Sequence, residues 1–395
     1  MKIYQQYSVI ILLVLTASCT SEKSGRIERL TSNIIKIEEQ YLLDRITESE
    51  VFDTVTFIPL NLPENELMGS IADIQLYRNN YYILDLTTQK IHEFDKNWEF
   101  RKTLFSRGLG PNEYNEILNF SFIDNSIVIN DLMKVEYYSL DDFEPIKSYK
   151  KAYMGFRTYV THDEHMLNYQ LNSTMDNTPF NVSIYDYTND DITYQGSLIE
   201  PNLQGFTFSQ KNPFDTNKGS DYFIEAFNDT IYKVEKGKLY AHRFIDFKDI
   251  RLEIGDLINE PGITSSDVLK SGKAYFLGGY LNSDTTEIFS FTYKGKRYIY
   301  VANKVDSVFH IYSSMIQDKT VLRLPIDYFL LDGENIFSAK DIEQANYELG
   351  MLKEKMTSDP KMGSSPRLLA YKSNMDRLSS ELTGASAVII KIHVK

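Results

Sequence analysis

One cysteine and one tryptophan occur in 395 residues, histidine is limited to six, and no apolar run approaches the ~20 residues that a membrane-crossing helix needs. A single cysteine excludes an internal disulfide framework and any cysteine-rich metal cluster. With 19 Gly and 11 Pro the chain is neither collagen-like nor a low-complexity linker. Basic residues are also short: 42 Lys and Arg face 55 Asp and Glu, for a net charge of −13. A phosphate backbone would be repelled, so no nucleic-acid partner is expected. What is abundant is aromatic and apolar. There are 28 Tyr and 23 Phe, and the apolar fraction of 42% is too high for a disordered chain. Stability must therefore come from a large core.

The N-terminus reads as an export signal. Lys2 precedes the apolar run Val9–Leu15, about half a bilayer span, and small residues follow it. Leu15-Thr-Ala-Ser-Cys19 resembles a bacterial lipobox, in which the cysteine becomes the lipidated first residue. Thr16 stands where leucine is more usual. This predicts a signal peptide over 1–18, lipid attachment at Cys19 and a polar tether over 19–45 leading to the folded part, 46–395. With Cys19 lipidated no thiol remains for catalysis.

A loose repeat runs through the rest. Ile74–Tyr77, Tyr81–Asp85 and Ile91–Phe94 line up with Phe120–Ile123, Ile127–Asp131 and Val135–Tyr138. Val182–Tyr185 and Ile231–Val234 continue the third segment, whose last residues are 44, 47 and 49 positions apart. Four β-rich segments per unit of about 46 residues is the size of a propeller blade. A pair of β-sandwiches would have short strands too, but no fixed period. Two stretches interrupt the pattern, near 250–270 and near 338–383. Setting them aside leaves room for six units of about 46 residues.

The second interruption predicts a helix. Ser338 and Asp341 have capping-box spacing, and Ile342, Ala345, Leu349, Leu352 and Met356 then share one face as a packing stripe. The chain ends on an alternating strand, Val388–Val394, which needs a partner to cover its edge. Asp53–Leu60 is the obvious one, and pairing the two within one blade would close the ring. The fold expected is all-β: a six-bladed β-propeller with four-stranded blades, closed by N- and C-terminal strands, plus a C-terminal helical insertion.

Phe57-Ile-Pro-Leu60, Tyr82-Ile-Leu-Asp85, Arg107-Gly-Leu-Gly-Pro-Asn-Glu-Tyr114, Phe227-Asn-Asp-Thr-Ile-Tyr232 and Asp332-Gly333 resemble the six-bladed propeller lipoproteins of gut Gram-negative bacteria, a group related to NHL-repeat propellers. Asn112 stands where that family usually has a third glycine, a substitution a left-handed turn would tolerate. The resemblance implies fold and address. It carries no settled catalytic residues and no settled ligand.

Four sets of residues are candidates for function. The turn Arg107, Gly108, Gly110, Glu113 and Tyr114 either offers amides to an anion or simply joins two blades, braced by an Arg107–Glu113 bond. Asp85 and Asp131 recur after the second strand, with Asn168 and Asn228 as equivalents; they either ring a polar funnel or accept backbone bonds in each turn. His162 and His165, with Asp163 and Glu164 between them, are the one compact metal-ligand set, but on a strand positions three apart face opposite ways. That places the histidines at a polar blade edge, solvated and unpaired. Finally, Tyr153-Met-Gly-Phe156 and Gly278-Gly-Tyr280 are loop-like and would expose aromatic rings. No Gly-x-Ser-x-Gly elbow, sialidase-type Asp box or P-loop occurs. No metal and no cofactor are expected. The sequence thus points to a lipid-anchored protein of the cell envelope, on the outer membrane, that binds a protein or glycan partner without catalysis. A metal-assisted hydrolase or lyase is the alternative, by analogy of fold alone.

Overall fold

The computed structural model describes residues 28–153, 155–173, 178–200, 203–204, 213–217, 219–253, 255, 264–276, 278–318, 320–324, 327–358 and 366–395. Cys19 and the signal segment lie outside them. Six antiparallel blades of four strands stand in a ring. Blade one is Ile71–Tyr77, Asn80–Asp85, Lys90–Phe94 and Phe100–Leu104. Blade two runs from Asn119 to Lys150, blade three from Arg157 to Leu198, blade four from Phe214 to Asp246 and blade five from Tyr275 to Tyr312. The sixth blade takes Leu330–Asp332, Asn335–Asp341 and Ala387–Val394 from the end of the chain and its outer strand, Phe52–Leu60, from the beginning. Ala387 pairs with Leu60 and Ile390 with Phe57. This is the ring closure that the two alternating termini predict.

The blades explain why the strands read as nearly unbroken apolar runs. A middle strand is covered on both faces, by the blade before and the blade after. In Asn80–Asp85 every residue after the first is buried. Tyr82 and Leu84 pack toward blade two, Tyr81 and Ile83 toward blade six. Six hydrophobic clusters result, one in each gap between neighbouring blades. Outer strands see water on one side and are polar, as in Pro145–Lys150.

The helical insertion has two helices, Ile342–Ser358 and Pro366–Glu381. The stripe Ala345 and Leu349, with Ile342, Leu352 and Met356 partly buried, packs on Met375, Leu378 and Val388. Ser338 does not cap the helix. It lies buried in a strand and donates to the Asp327 carbonyl at 2.5 Å, while Asp341 alone receives the Gln344 N–H at 2.6 Å. Pairing with the C-terminal strand holds the chain extended up to Asp341, so the helix starts three residues later than its capping signal suggests. Among the described residues no helix is long and apolar enough to cross a membrane.

The stretch read as a tether contains ordered structure. Glu28–Lys36 lies parallel to Lys238–Asp246 on the outside of blade four. Leu42–Leu43 then lies parallel to the outer strand of blade five, and Ile46–Thr47 pairs with Met315–Ile316. A one-turn helix, Glu48–Val51, carries a full capping box from Thr47 and Glu50 and leads into Phe52. The segment belts the outer edges of blades four and five, which would otherwise be open. Its polar composition suits an outer edge, where one side remains wet.

Candidate functional site: the central channel

The inner strands leave a cavity of about 520 Å³ on the ring axis, and all six blades contribute to its wall. That volume lies within the usual range for small-molecule sites. Its wall has two zones. Where second strands end and inner strands begin, Leu86, Leu118, Leu132 and Phe156 line the cavity and are exposed, Leu132 at 50% and Phe156 at 53%. They form an apolar collar on the side of blades one to three. Arg157, also exposed, stands beside them.

Further along the inner strands the wall turns polar. Asp73 of blade one receives the Gln75 amide at 2.8 Å and the Ile74 N–H at 2.8 Å. Gln75 also donates to the Phe120 carbonyl of blade two at 2.9 Å, which fixes its amide. Burial pushes the Asp73 carboxyl up to about 6 even though both of those bonds favour its charge. Asp215 of blade four shares the cavity. Burial, followed by the charge of Asp73, holds it well above the ordinary carboxylate range. Asp215 Oδ2 has no accessible surface and no hydrogen-bond partner. Tyr159 stacks on Phe214 at 5.2 Å, and both rings are part of the wall.

The residues singled out from sequence stand around this channel, and none of Asp85, Asp131, Asn168 or Asn228 lines it. Asp85, fully buried, accepts the N–H groups of Gly69 (2.8 Å), Ser70 (3.1 Å) and Thr87 (2.9 Å) and the hydroxyl of Thr88 (2.7 Å). Asp131 accepts the N–H groups of Asn115 and Met133. Both carboxylates hold the loop that enters their own blade. The equivalents in blades three and four are Gln170 and Glu225, each directly after a second strand. Glu225 accepts from Asn181 at 2.7 Å and Ser197 at 2.8 Å. Asn168 sits two residues earlier, inside its strand and buried, with neither side-chain polar atom bonded. Asn228 is in the following turn, where it accepts the Thr230 N–H at 3.0 Å. Position after the strand, more than residue type, sets the equivalence.

In the turn from Arg107 to Tyr114 the Glu113 carboxylate folds back under the glycines and accepts the Gly110 N–H at 2.8 Å. A Cβ on Gly108 would lie 1.9 Å from Glu113 Oε2, and one on Gly110 2.9 Å from it. An added methyl at Gly108 would therefore push the Glu113 carboxylate aside. Neither the glycines nor Asn112 adopt a left-handed backbone. Arg107 donates to the Asn115 carbonyl at 3.1 Å rather than to Glu113, and the buried Tyr114 donates to the Gln89 carbonyl at 2.8 Å. With its carboxylate already turned inward on the amides, the turn has no free nest for an anion.

His162 and His165 fall at the first hairpin of blade three, and both are paired. His162 Nδ1 meets Asp221 Oδ1 of blade four at 2.8 Å, while His165 Nδ1 meets the Asp163 carbonyl at 2.8 Å. Burial opposes protonation of His162, but the bond to Asp221 and its charge outweigh it and raise the imidazole's proton affinity. Among the described residues no three His, Cys, Asp or Glu side chains converge as metal ligands. Of the two loop-like aromatic stretches, Tyr153 and Phe156 are exposed, with Met154 outside the described residues. Tyr280 is the opposite. The left-handed Gly278 and Gly279 break the inner strand of blade five and turn its ring inward, fully buried, to donate to Glu287 at 2.8 Å.

Asp73 and Asp215 escaped sequence reasoning because they lie in different blades and belong to no motif. Nor do they share a repeat position: Asp73 lies opposite Leu84, one residue before Asp85, and Asp215 opposite Tyr222, three residues before Glu225.

The family described as "Domain of unknown function (DUF4934)" matches residues 32–375. Among solved structures, a Bacteroides fragilis protein whose name calls it exported is similar at 17% identity and a TM-score of 0.69, over 92% of this chain and all of that one. A member of the DUF4221 family from Bacteroides vulgatus is 12% identical at a TM-score of 0.45, over 87% of this chain and 97% of that one. No curated protein matches the chain.

Proposed function

Because the chain belongs to the DUF4934 family, we propose its role from its own geometry: it is a noncatalytic, ligand-binding propeller of the cell envelope, held by lipid on Cys19 to the outer membrane, whose channel mouth receives a protein or glycan partner. The observation that carries this is the collar. Exposed Leu86, Leu118, Leu132 and Phe156 converge on the mouth of a 520 Å³ cavity, and apolar surface gathered at a cavity mouth marks an interaction site rather than ordinary surface. The name of the Bacteroides fragilis relative accords with the address, and so does the spacing of Leu15–Cys19.

The binding half is tested by probing peptide and glycan arrays with the wild type and with Leu132→Asp and Phe156→Asp. Partners retained by the wild type should be lost by both variants. Partners held equally by all three proteins would place the binding surface elsewhere. The anchoring half is tested by fractionation: Cys19→Ala should leave the membrane pellet or stay unprocessed. A processed Cys19→Ala chain that survives a salt wash on the membrane would refute the anchor.

A further inference from the structure

Resting on the reading of the channel as a binding site, we infer the class of ligand it takes: an organic ammonium carried on an apolar body, its cationic head between Asp73 and Asp215 and its body against the collar of Leu86, Leu132 and Phe156.

Three observations converge on one cavity. The first is the unpartnered oxygen. Asp215 lines the cavity, and its Oδ2 has no accessible surface and accepts no hydrogen bond. A buried polar atom left without a partner costs about 1–3 kcal/mol, so a small rotation of this carboxyl toward a donor in the cavity would recover that cost. The second is the pairing across the ring. Asp73 and Asp215 come from blades one and four, on opposite sides of the axis, and the charge of Asp73 adds to burial in raising the proton affinity of Asp215. Each blade could have met the channel with an apolar residue; a pair of acids persists in a core at a cost unless a cation offsets it. The third is the order of the zones. An apolar mouth above an acidic floor complements a molecule with one charged end, not a free metal ion, which would gain nothing from Leu132 or Phe156, and not a neutral glycan.

The charges that face the pair are few. Tyr159 and Gln75 are its polar neighbours in the wall, Asp221 stands behind Tyr159, and Arg157 is exposed at the mouth. No histidine lines the cavity. Asp73 is therefore the group that titrates near neutrality, and ionised it supplies one negative charge for one ammonium. Arg157 repels a cation at the entrance, which favours ligands whose charge is followed by bulk rather than by a second cation.

The test uses the full chain in detergent and titration calorimetry with phenylalanyl-leucinamide, its N-acetyl form, and phenethylamine. The free-amine peptide should bind at pH 7 and the acetylated one at least tenfold more weakly. Affinity should fall about tenfold from pH 7 to pH 5, as Asp73, at about 6, takes up its proton. Asp73→Asn, nearly isosteric, should weaken the amine about 10- to 100-fold, the span expected for a charge-assisted bond, while Asp215→Asn, which exchanges one neutral acceptor for another, should weaken it less, both with unchanged circular dichroism. Phenethylamine binding as tightly as the peptide would trace the source to small amines, and weaker but pH-dependent binding to peptide termini; both support the inference. Equal binding of the free and acetylated peptides, lost in Leu132→Asp, would overturn the ammonium inference and leave the channel reading intact. Absence of binding by both amines at millimolar concentration would overturn it as well, and the array experiment would then decide the channel reading by itself.

Discussion

His162 Nδ1 and Asp221 Oδ1 lie 2.8 Å apart, and the bond between them joins the first hairpin of blade three to the second strand of blade four. Asp221 also accepts the His162 N–H at 2.8 Å and the Thr216 hydroxyl at 2.9 Å, with its side chain 4% exposed. Removing it leaves these donors, and the Tyr159 hydroxyl at 3.3 Å, facing a void. Asp221→Ala should cost about 3 kcal/mol in urea unfolding, as for other broken buried pairs. The pair also predicts a pH dependence. The proton affinity of His162 is raised on folding, so its charged form adds stability below the unfolded imidazole value of about 6.5, and that share is lost as pH rises through the folded value. The gap in unfolding midpoint between wild type and His162→Gln should therefore be wider at pH 6 than at pH 9. A gap that widens with pH would show that the charged pair is not what joins the blades.

Ring closure is local to a few side chains. Ile390 is fully buried between blades five and six, whereas Lys391, one residue on, is part-exposed. Ile390→Ala should cost about 3 kcal/mol, the usual loss for a large aliphatic residue in a core, and Lys391→Ala well under 1 kcal/mol. Equal melting temperatures for the two variants would deny that this strand closes the ring.

The Gly108 turn makes a prediction about coupling. In Gly108→Ala the new methyl displaces the Glu113 carboxylate and the Gly110 N–H loses its acceptor. A destabilisation of about 1–2 kcal/mol is expected. Glu113→Ala removes the same bond, so the double variant should be no less stable than Gly108→Ala alone. Additive losses in a double-mutant cycle would mean that the clash lies elsewhere.

A chain shortened to begin at Ile37 separates belt from tether. It loses the parallel pairing of Glu28–Lys36 with blade four and uncovers the edge of Lys238–Asp246. It should melt several degrees lower and aggregate faster than the full chain. Unchanged melting and solubility would mean that this strand only rests on the ring.

How far the sequence could be read follows from where each signal resides. Blade strands were legible because burial on both faces writes itself into short apolar runs such as Tyr81–Leu84 and Ile127–Ile129. The closing pair was legible because Val388–Val394 alternates at the end of the chain and needs its outer edge covered, and Asp53–Leu60 is a β-rich segment that precedes the first full unit. The belt was not, since an edge strand over 28–36 carries the charge and polarity of a linker. Nor was the equivalence of Asp85 with Gln170 and Glu225, because the repeat drifts by several residues and an asparagine two or three positions away looks more like an aspartate than a glutamine does. The channel was least legible. Asp73 and Asp215 meet only once six units have curled into a circle, and no local pattern records a distance across that circle.

The belt bears on how the molecule is made. Residues 28–60 are the first of the folded part to be synthesised, yet their partners are Lys238–Asp246, Val308–Tyr312 and Ala387–Val394. A chain that emerges N-terminus first must carry Glu28–Lys36 unpaired until residue 246 has appeared, and Phe52–Leu60 until almost everything else has. Pairings this distant in sequence are slow to form, and waiting edges are the ones prone to pair with another molecule. Blades one to three, whose strands are consecutive, can assemble meanwhile. The last event is then the docking of both ends of the chain onto blade six, so a polypeptide cut short anywhere before Ala387 is left with an open circle and with Phe52–Leu60 lacking the strand it pairs with.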